Sequence, residues 1–124
     1  MGKMMKIVCA SCKNEWQCMT GCGLSHALLQ SVVREFPKET QDTVMEKAGE
    51  ELPLFEFGFH LSACNGCGNI VSVPVLRFEE REEEYVGPCP VCQDDVAIIT
   101  DMEDTVCPVC GNKTLLAEEI GRWD

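Results

Sequence analysis

The chain has 124 residues and carries 21 Asp and Glu against ten Lys and Arg, a formal net charge of −11. That balance, with no basic run, argues against a protein built to neutralise nucleic-acid phosphates, and no apolar stretch approaches the length of a membrane span. Ten residues are cysteine and only 6% are aromatic, so the chain has room for one domain, or two very small ones, with a thin apolar core. The opening Met1-Gly2-Lys3-Met4-Met5-Lys6 lacks the apolar centre of a signal peptide, and Lys6 departs from the myristoylation pattern. A cytoplasmic, reducing setting is expected, where paired cysteines hold metal rather than form disulfides.

Lys6-Ile7-Val8 reads as a short strand entering the turn Cys9-Ala10-Ser11-Cys12, and Asn14 to Met19 roughly alternates polar and apolar as the strand leaving it. Cys18 and Cys22 follow at a different spacing, with Gly21 and Gly23 alongside. Their plain reading is as small apolar filler. Two others stay open: a local site from Cys9, Cys12, Cys18 and Cys22 holding zinc or an iron–sulfur cluster, and a redox-active Cys18/Cys22 pair. Ser25 is placed as the N-cap of a helix from His26 to Phe36, stopped by Pro37, with Ala27, Leu28, Leu29, Val32, Val33 and Phe36 on a broad apolar face. His26 is expected on the surface of its first turn, with metal ligation the lesser alternative. Glu39 to Ala48 reads as a second, more polar helix, with Val44 and Met45 as its main apolar residues and Gly49 as its C-cap.

Leu54 to Leu61 is the strand entering Cys64-Asn65-Gly66-Cys67-Gly68, with His60 alternating out to solvent, and Ile70 to Leu76 leaves that turn. Pro74 has no N–H to give a ladder, so its strand is expected at a sheet edge or at a bulge. Glu79 to Glu84 holds five acids and one Arg. It is expected at the solvated tip or flank of a hairpin, where charge guards an edge; an acidic docking patch is the second reading. Tyr85 to Pro88 returns to Cys89-Pro90-Val91-Cys92. Val96 to Thr100 is the clearest strand, Asp101 to Asp104 turns it, and Cys107-Pro108-Val109-Cys110-Gly111 precedes a strand segment from Thr114 to Ala117.

The four C-x2-C turns organise all of this. Such a turn points two thiolates into one tetrahedral site while backbone N–H groups approach the sulfurs, and two turns complete a four-thiolate set, the usual structural zinc arrangement. Cys9, Cys12, Cys64, Cys67, Cys89, Cys92, Cys107 and Cys110 thus supply two closed sites, read as two structural Zn2+. Iron is the alternative, because an all-sulfur tetrahedron does not choose between the two. The binding free energy would then serve as folding free energy. Sequential pairing joins Cys9/Cys12 to Cys64/Cys67 and Cys89/Cys92 to Cys107/Cys110. Nested pairing joins the inner two turns and brings the outer two together. The sequential form is preferred, since closing the 51-residue loop between Cys12 and Cys64 costs little more than closing a shorter one and each half then forms its own unit.

Each turn has β-type residues before and after it. With Cys107 to Gly111 matching C-P-x-C-G in full, Cys89 to Cys92 lacking only the Gly, Cys64 to Gly68 lacking the Pro and Cys9 to Cys12 lacking both, the chain resembles the zinc-ribbon (rubredoxin-like knuckle) superfamily. Its layout is also similar to that of small prokaryotic proteins with four C-x2-C motifs split by a helical insert. The resemblance covers the ribbon portions and implies an α+β fold: small zinc-ribbon β-hairpins with a short helical insert at about 25–50, a C-terminal ribbon at about 86–124, and residues 1–124 as one metal-stabilised unit.

Acidic charge, closed thiolate sites and the lack of an acid/base constellation favour a non-catalytic adaptor or accessory subunit acting through contacts with another protein. Neither nucleic acid nor membrane is expected as a partner. The alternatives are rubredoxin-like electron transfer through four-thiolate iron and a thiol redox protein using Cys18 and Cys22.

Overall fold

In the computed structural model, which describes residues 2–23, 26, 28–48, 54–79 and 83–123, the chain opens with the hairpin β1 (Gly2–Cys9) and β2 (Glu15–Gly21), turning at the first C-x2-C. Two short helices follow, α1 (Leu29–Val33) and α2 (Lys38–Ala48). A second hairpin, β3 (Phe55–Cys64) and β4 (Asn69–Phe78), turns at the second C-x2-C. Three strands complete the structure: β5 (Glu84–Val86), β6 (Ala97–Ile98) and β7 (Leu115–Trp123). The strand order is β5-β4-β3-β2-β1-β7, with β6 also on β3 and every pairing antiparallel. The architecture is therefore mostly antiparallel sheet with two short helices, less helical than the expected α+β arrangement.

The two hairpins are built alike. In each, the strand that follows a later C-x2-C turn pairs with the hairpin's first strand: β7 with β1, and β6 with β3. One three-strand unit thus sits inside the other along the chain. They join through the single pair Gly21–Phe59 and through β2 lying across β4. There Trp16 Nε1 donates to Asn69 Oδ1 at 3.2 Å, Cys18 Sγ to the Ile70 carbonyl at 3.4 Å and Ser72 Oγ to the Met19 carbonyl at 2.6 Å.

β4 is apolar almost throughout because both of its faces are covered, the circumstance that replaces strict alternation by a continuous apolar run. Leu76 and Phe78 pack with Leu29, Val32, Val33, Phe36 and Val44 of the helical segment. Val71, Val73 and Val75, on the opposite face, pack with Cys64 and Cys89. A third cluster joins Ile7, Cys9, Cys18, Ala63, Ile70, Cys107 and Leu115. β3 alternates apolar and non-apolar residues from Phe55 to Leu61 before its buried end at Ser62 to Cys64, and His60 is exposed as expected.

Several elements differ from their predicted extent. α1 is five residues long, because Leu28 is already extended (φ −107°, ψ 135°) with no side-chain cap, and because residues 35 and 36 tighten into i→i+3 turns onto Val32 and Val33 ahead of Pro37. Ser25, Ala27 and Gly49, given roles in helix ends and faces, lie outside the described residues, as do Glu80, Arg81 and Glu82 of the acidic run. Among the described side chains of α2, Val44 alone is buried, while Met45 is 42% exposed. β1 and β7 are longer than their local β-propensity suggests, because each supports the other over an eight-residue register, Gly2–Trp123 to Cys9–Leu115. β6, the clearest strand by composition, shrinks to two residues, pairing β3 at Ser62 and Ala63, with one further bond from the Ile99 N–H to the Leu61 carbonyl. β5 covers β4 only from Val75 to Arg77. Pro74 lies just past the end of that short pairing, within a strand flanked on both sides rather than at a sheet edge, and its carbonyl accepts the Gly87 N–H at 2.9 Å.

Candidate metal centres

The four C-x2-C turns share one backbone form. In each, the residue after the second cysteine donates its N–H to the first cysteine's carbonyl at 2.9 Å: Lys13 to Cys9, Gly68 to Cys64, Gln93 to Cys89 and Gly111 to Cys107. That residue is left-handed every time, with φ of 66°, 70°, 67° and 78° respectively. Glycine takes this conformation freely, and Lys13 and Gln93 take it at a cost. The missing glycine in two motifs therefore does not mean a missing knuckle. In each turn the first cysteine is buried (Cys9, Cys64, Cys89, Cys107), while the second is half-buried at Cys12, Cys67 and Cys92 and exposed at Cys110.

The turns meet in pairs. Cys9, Cys12, Cys107 and Cys110 form one group and Cys64, Cys67, Cys89 and Cys92 the other, with the sulfurs of each group within 4.8 Å of one another. In the outer group Cys9 Sγ is 3.5 Å from Cys110 Sγ and Cys12 Sγ 3.8 Å from Cys107 Sγ. In the inner group Cys64 Sγ is 3.4 Å from Cys92 Sγ and Cys67 Sγ 3.7 Å from Cys89 Sγ. A tetrahedron with metal–sulfur bonds of about 2.3 Å has edges of about 3.8 Å, so both groups fit a four-coordinate thiophilic ion.

This arrangement is nested, and the sequential pairing is corrected by it. Residues 86–124 do not form a ribbon around a site of their own, because Cys89/Cys92 and Cys107/Cys110 belong to different groups. The reason is the sheet. Each doubling of a closed loop costs only about 0.6 kcal/mol, too little to outweigh the β1–β7 ladder that carries the last knuckle to the first.

Donors surround the sulfurs. Asn14 Nδ2 donates to Cys12 Sγ and Asn69 Nδ2 to Cys67 Sγ, each at 3.3 Å. The Val91 N–H reaches Cys89 Sγ at 3.4 Å. Thr114 Oγ1 lies 3.1 Å from Cys9 Sγ and 3.0 Å from Ser11 Oγ. Backbone N–H donation from Cys12, then the Thr114 hydroxyl, holds the Cys9 thiol down to about 6. The Cys67 N–H holds Cys64 down to about 7. The opposite partners move the other way. The Asp94 N–H acts to lower Cys92, but the neighbouring thiols and burial carry it up to about 12. At Cys110 the Asn112 N–H is likewise outweighed, by burial and by Cys9, Cys107 and Cys12, and the thiol rises to about 11. Without an ion, each group thus combines one thiol held down with one pushed up.

The asparagines, Thr114 and the left-handed Lys13 and Gln93 were missed at the level of motif spacing. One signal was present: all four motifs carry Asn or Asp two residues after the second cysteine, at Asn14, Asn69, Asp94 and Asn112. The carbonyls of Asn14, Asp94 and Asn112 also close their turns by accepting the N–H of Cys9, Cys89 and Cys107.

Cys18 and Cys22 belong to neither group. Cys18 is buried, and burial pushes its thiol up, the opposite of an activated thiolate. His26 is also in neither group, and it is buried rather than on the surface. Its Nδ1 accepts the Gly23 N–H at 2.9 Å, Nε2 faces Glu35 Oε1 at 3.4 Å, and its ring packs against Phe57, Phe59 and Trp123.

The fold and the two sulfur groups define a class: a small antiparallel β-protein with two four-cysteine sets arranged to hold metal ions, compatible with zinc-ribbon-like sites. Comparisons with protein-family models, curated proteins and solved structures find no match for this chain.

Proposed function

We propose that this is a non-catalytic, cytoplasmic adaptor or accessory protein whose two four-cysteine groups each hold one structural Zn2+ and which acts by contacts with another protein. The observation that carries the metal reading is the sulfur spacing of 3.4–3.8 Å in both groups. Four sulfurs complete a tetrahedral shell, leaving no position for the water or substrate that a catalytic zinc needs. Two features support protein contact. The balance of charge is strongly acidic, and apolar side chains stand exposed at knuckle tips, Val91 at 64% and Val109 at 52%, where an interface would bury them.

Elemental analysis of protein made in zinc-supplemented medium tests the metal reading, with two zinc per chain and no visible absorbance expected. Iron at comparable amount after native expression, with a red or brown colour, would replace zinc and favour electron transfer. For the adaptor role, cross-linking in the source cells should capture a defined partner that is lost with Val91→Asp plus Val109→Asp. Capture unaffected by that double change would move the contact surface elsewhere.

A further inference from the structure

The two sulfur groups are alike in geometry but not in surroundings. In the inner group Cys64 and Cys89 are fully buried beside Val71, Val73 and Val75, with Val96 and Ile98 packed against them. Its remaining ligands, Cys67 and Cys92, are half-buried, so no cysteine of that group is an exposed residue. In the outer group Cys110 is exposed, and Gly111, Asn112 and Lys113 after it are exposed as well. The segment from 99 to 114 that carries this knuckle contains no strand.

Building on the two-zinc reading, we infer that the sites are unequal in exchange: the Cys9/Cys12/Cys107/Cys110 ion is a labile latch open to external ligands, and the Cys64/Cys67/Cys89/Cys92 ion is a permanent core ion. Zinc leaves a thiolate site by substitution. An incoming soft donor, such as a thiolate or an aromatic nitrogen chelator, forms a bond to the ion as one Zn–S bond breaks, and the released sulfur takes a proton from water. The surrounding apolar shell controls access to such an attack. At the outer site Cys110 is the exposed ligand residue, so an incoming donor meets its bond to the ion first, while Cys9 and Cys107 are buried. The latch has a structural consequence, because this ion ties the knuckle at 107–110 to the knuckle at 9–12 across 95 to 101 residues. Loss of the ion loosens the chain leading into β7, whose far end stays pinned where Trp123 Nε1 donates to the Thr20 carbonyl at 3.2 Å.

The test uses the intact two-zinc protein at neutral pH with excess 4-(2-pyridylazo)resorcinol. One zinc is expected to leave about tenfold or more faster than the other. Cys107→Ser should retain only the slow equivalent and Cys64→Ser only the fast one. Wild-type protein stopped after one equivalent and labelled with N-ethylmaleimide should carry label at Cys12 and Cys110 before Cys67 and Cys92, a readout that needs no variant to fold. Two ions leaving at one rate, or early label at Cys67 and Cys92, overturns the latch and leaves the two-zinc reading intact. Fewer than two ions before the chelator is added overturns that reading and the latch with it.

Discussion

The sulfurs of Cys9 and Cys110 lie 3.5 Å apart although 101 positions separate them in the chain. An ion there joins the two ends of the described structure, and its counterpart at Cys64, Cys67, Cys89 and Cys92 sits inside the loop so closed. The expected consequences of losing either ion follow from that nesting.

Removing both ions should unfold the protein. A structural zinc contributes on the order of 10–16 kcal/mol of apparent binding energy, against a total stability of about 5–15 kcal/mol for a typical domain. Four cysteines, Cys9, Cys64, Cys89 and Cys107, are themselves members of the apolar clusters, so losing the ions leaves unliganded sulfur groups inside the core. Far-ultraviolet circular dichroism after exhaustive chelation should show no cooperative melt. A cooperative apo transition would mean that the valine and helix clusters suffice alone.

Metal binding should release protons. With Cys92 at about 12 and Cys110 at about 11 in the ion-free protein, each group keeps at least one proton at neutral pH that the ion must displace. Affinity therefore rises with pH, by about tenfold per unit for each proton displaced, and falls on acidification. Below about 7 and about 6, Cys64 and Cys9 also take up protons, which steepens the loss. Zinc added to weakly buffered apo protein with an indicator dye should acidify the solution by at least one proton per ion. A pH-independent affinity between 6 and 8 would contradict this account.

The shared left-handed position can be tested in both directions. A Cβ at Gly111 would meet nothing within 4 Å, so Gly111→Ala isolates the backbone effect and should cost about 1 kcal/mol. Gln93→Gly and Lys13→Gly should each stabilise by about 0.5 kcal/mol, because relief of the left-handed strain exceeds the entropy glycine loses on folding. Urea titration of the zinc-loaded variants measures this. Equal destabilisation by all three would show that the side chains, not φ, matter.

His26→Phe should keep the ring packing against Phe57, Phe59 and Trp123 but leave the Gly23 N–H without its acceptor. An orphaned buried donor costs about 1–3 kcal/mol, and the zinc content should stay at two. Loss of an ion in this variant would give His26 a role in metal binding that its position does not suggest.

Cys18→Ala with Cys22→Ala should likewise leave two zinc in place. In the wild type, Cys18 should react with a thiol reagent no faster than an ordinary buried cysteine, since its proton is held by burial and its Sγ points at the Ile70 carbonyl. Loss of zinc or rapid modification would revive the readings in which Cys18 and Cys22 form a site.

Short-range chemistry was legible in the sequence. A C-x2-C turn is closed by bonds within six residues, so all four turns and the eight clustered cysteines could be read from spacing, and the strands flanking the first two turns from their residue pattern. So could the exposure of His60, set by alternation along a single strand. Pairing of the turns could not be read in this way. Loop-closure entropy separates the nested from the sequential arrangement by too little to decide, and the choice falls to the eight-residue β1–β7 ladder, in which Glu118, Glu119 and Gly121 carry weak strand propensity of their own. His26 follows the same logic. Its neighbours in sequence place it at the start of a helix, but Phe57, Phe59 and Trp123, which bury it, come from β3 and β7. Contacts of that range exist only once the sheet has closed.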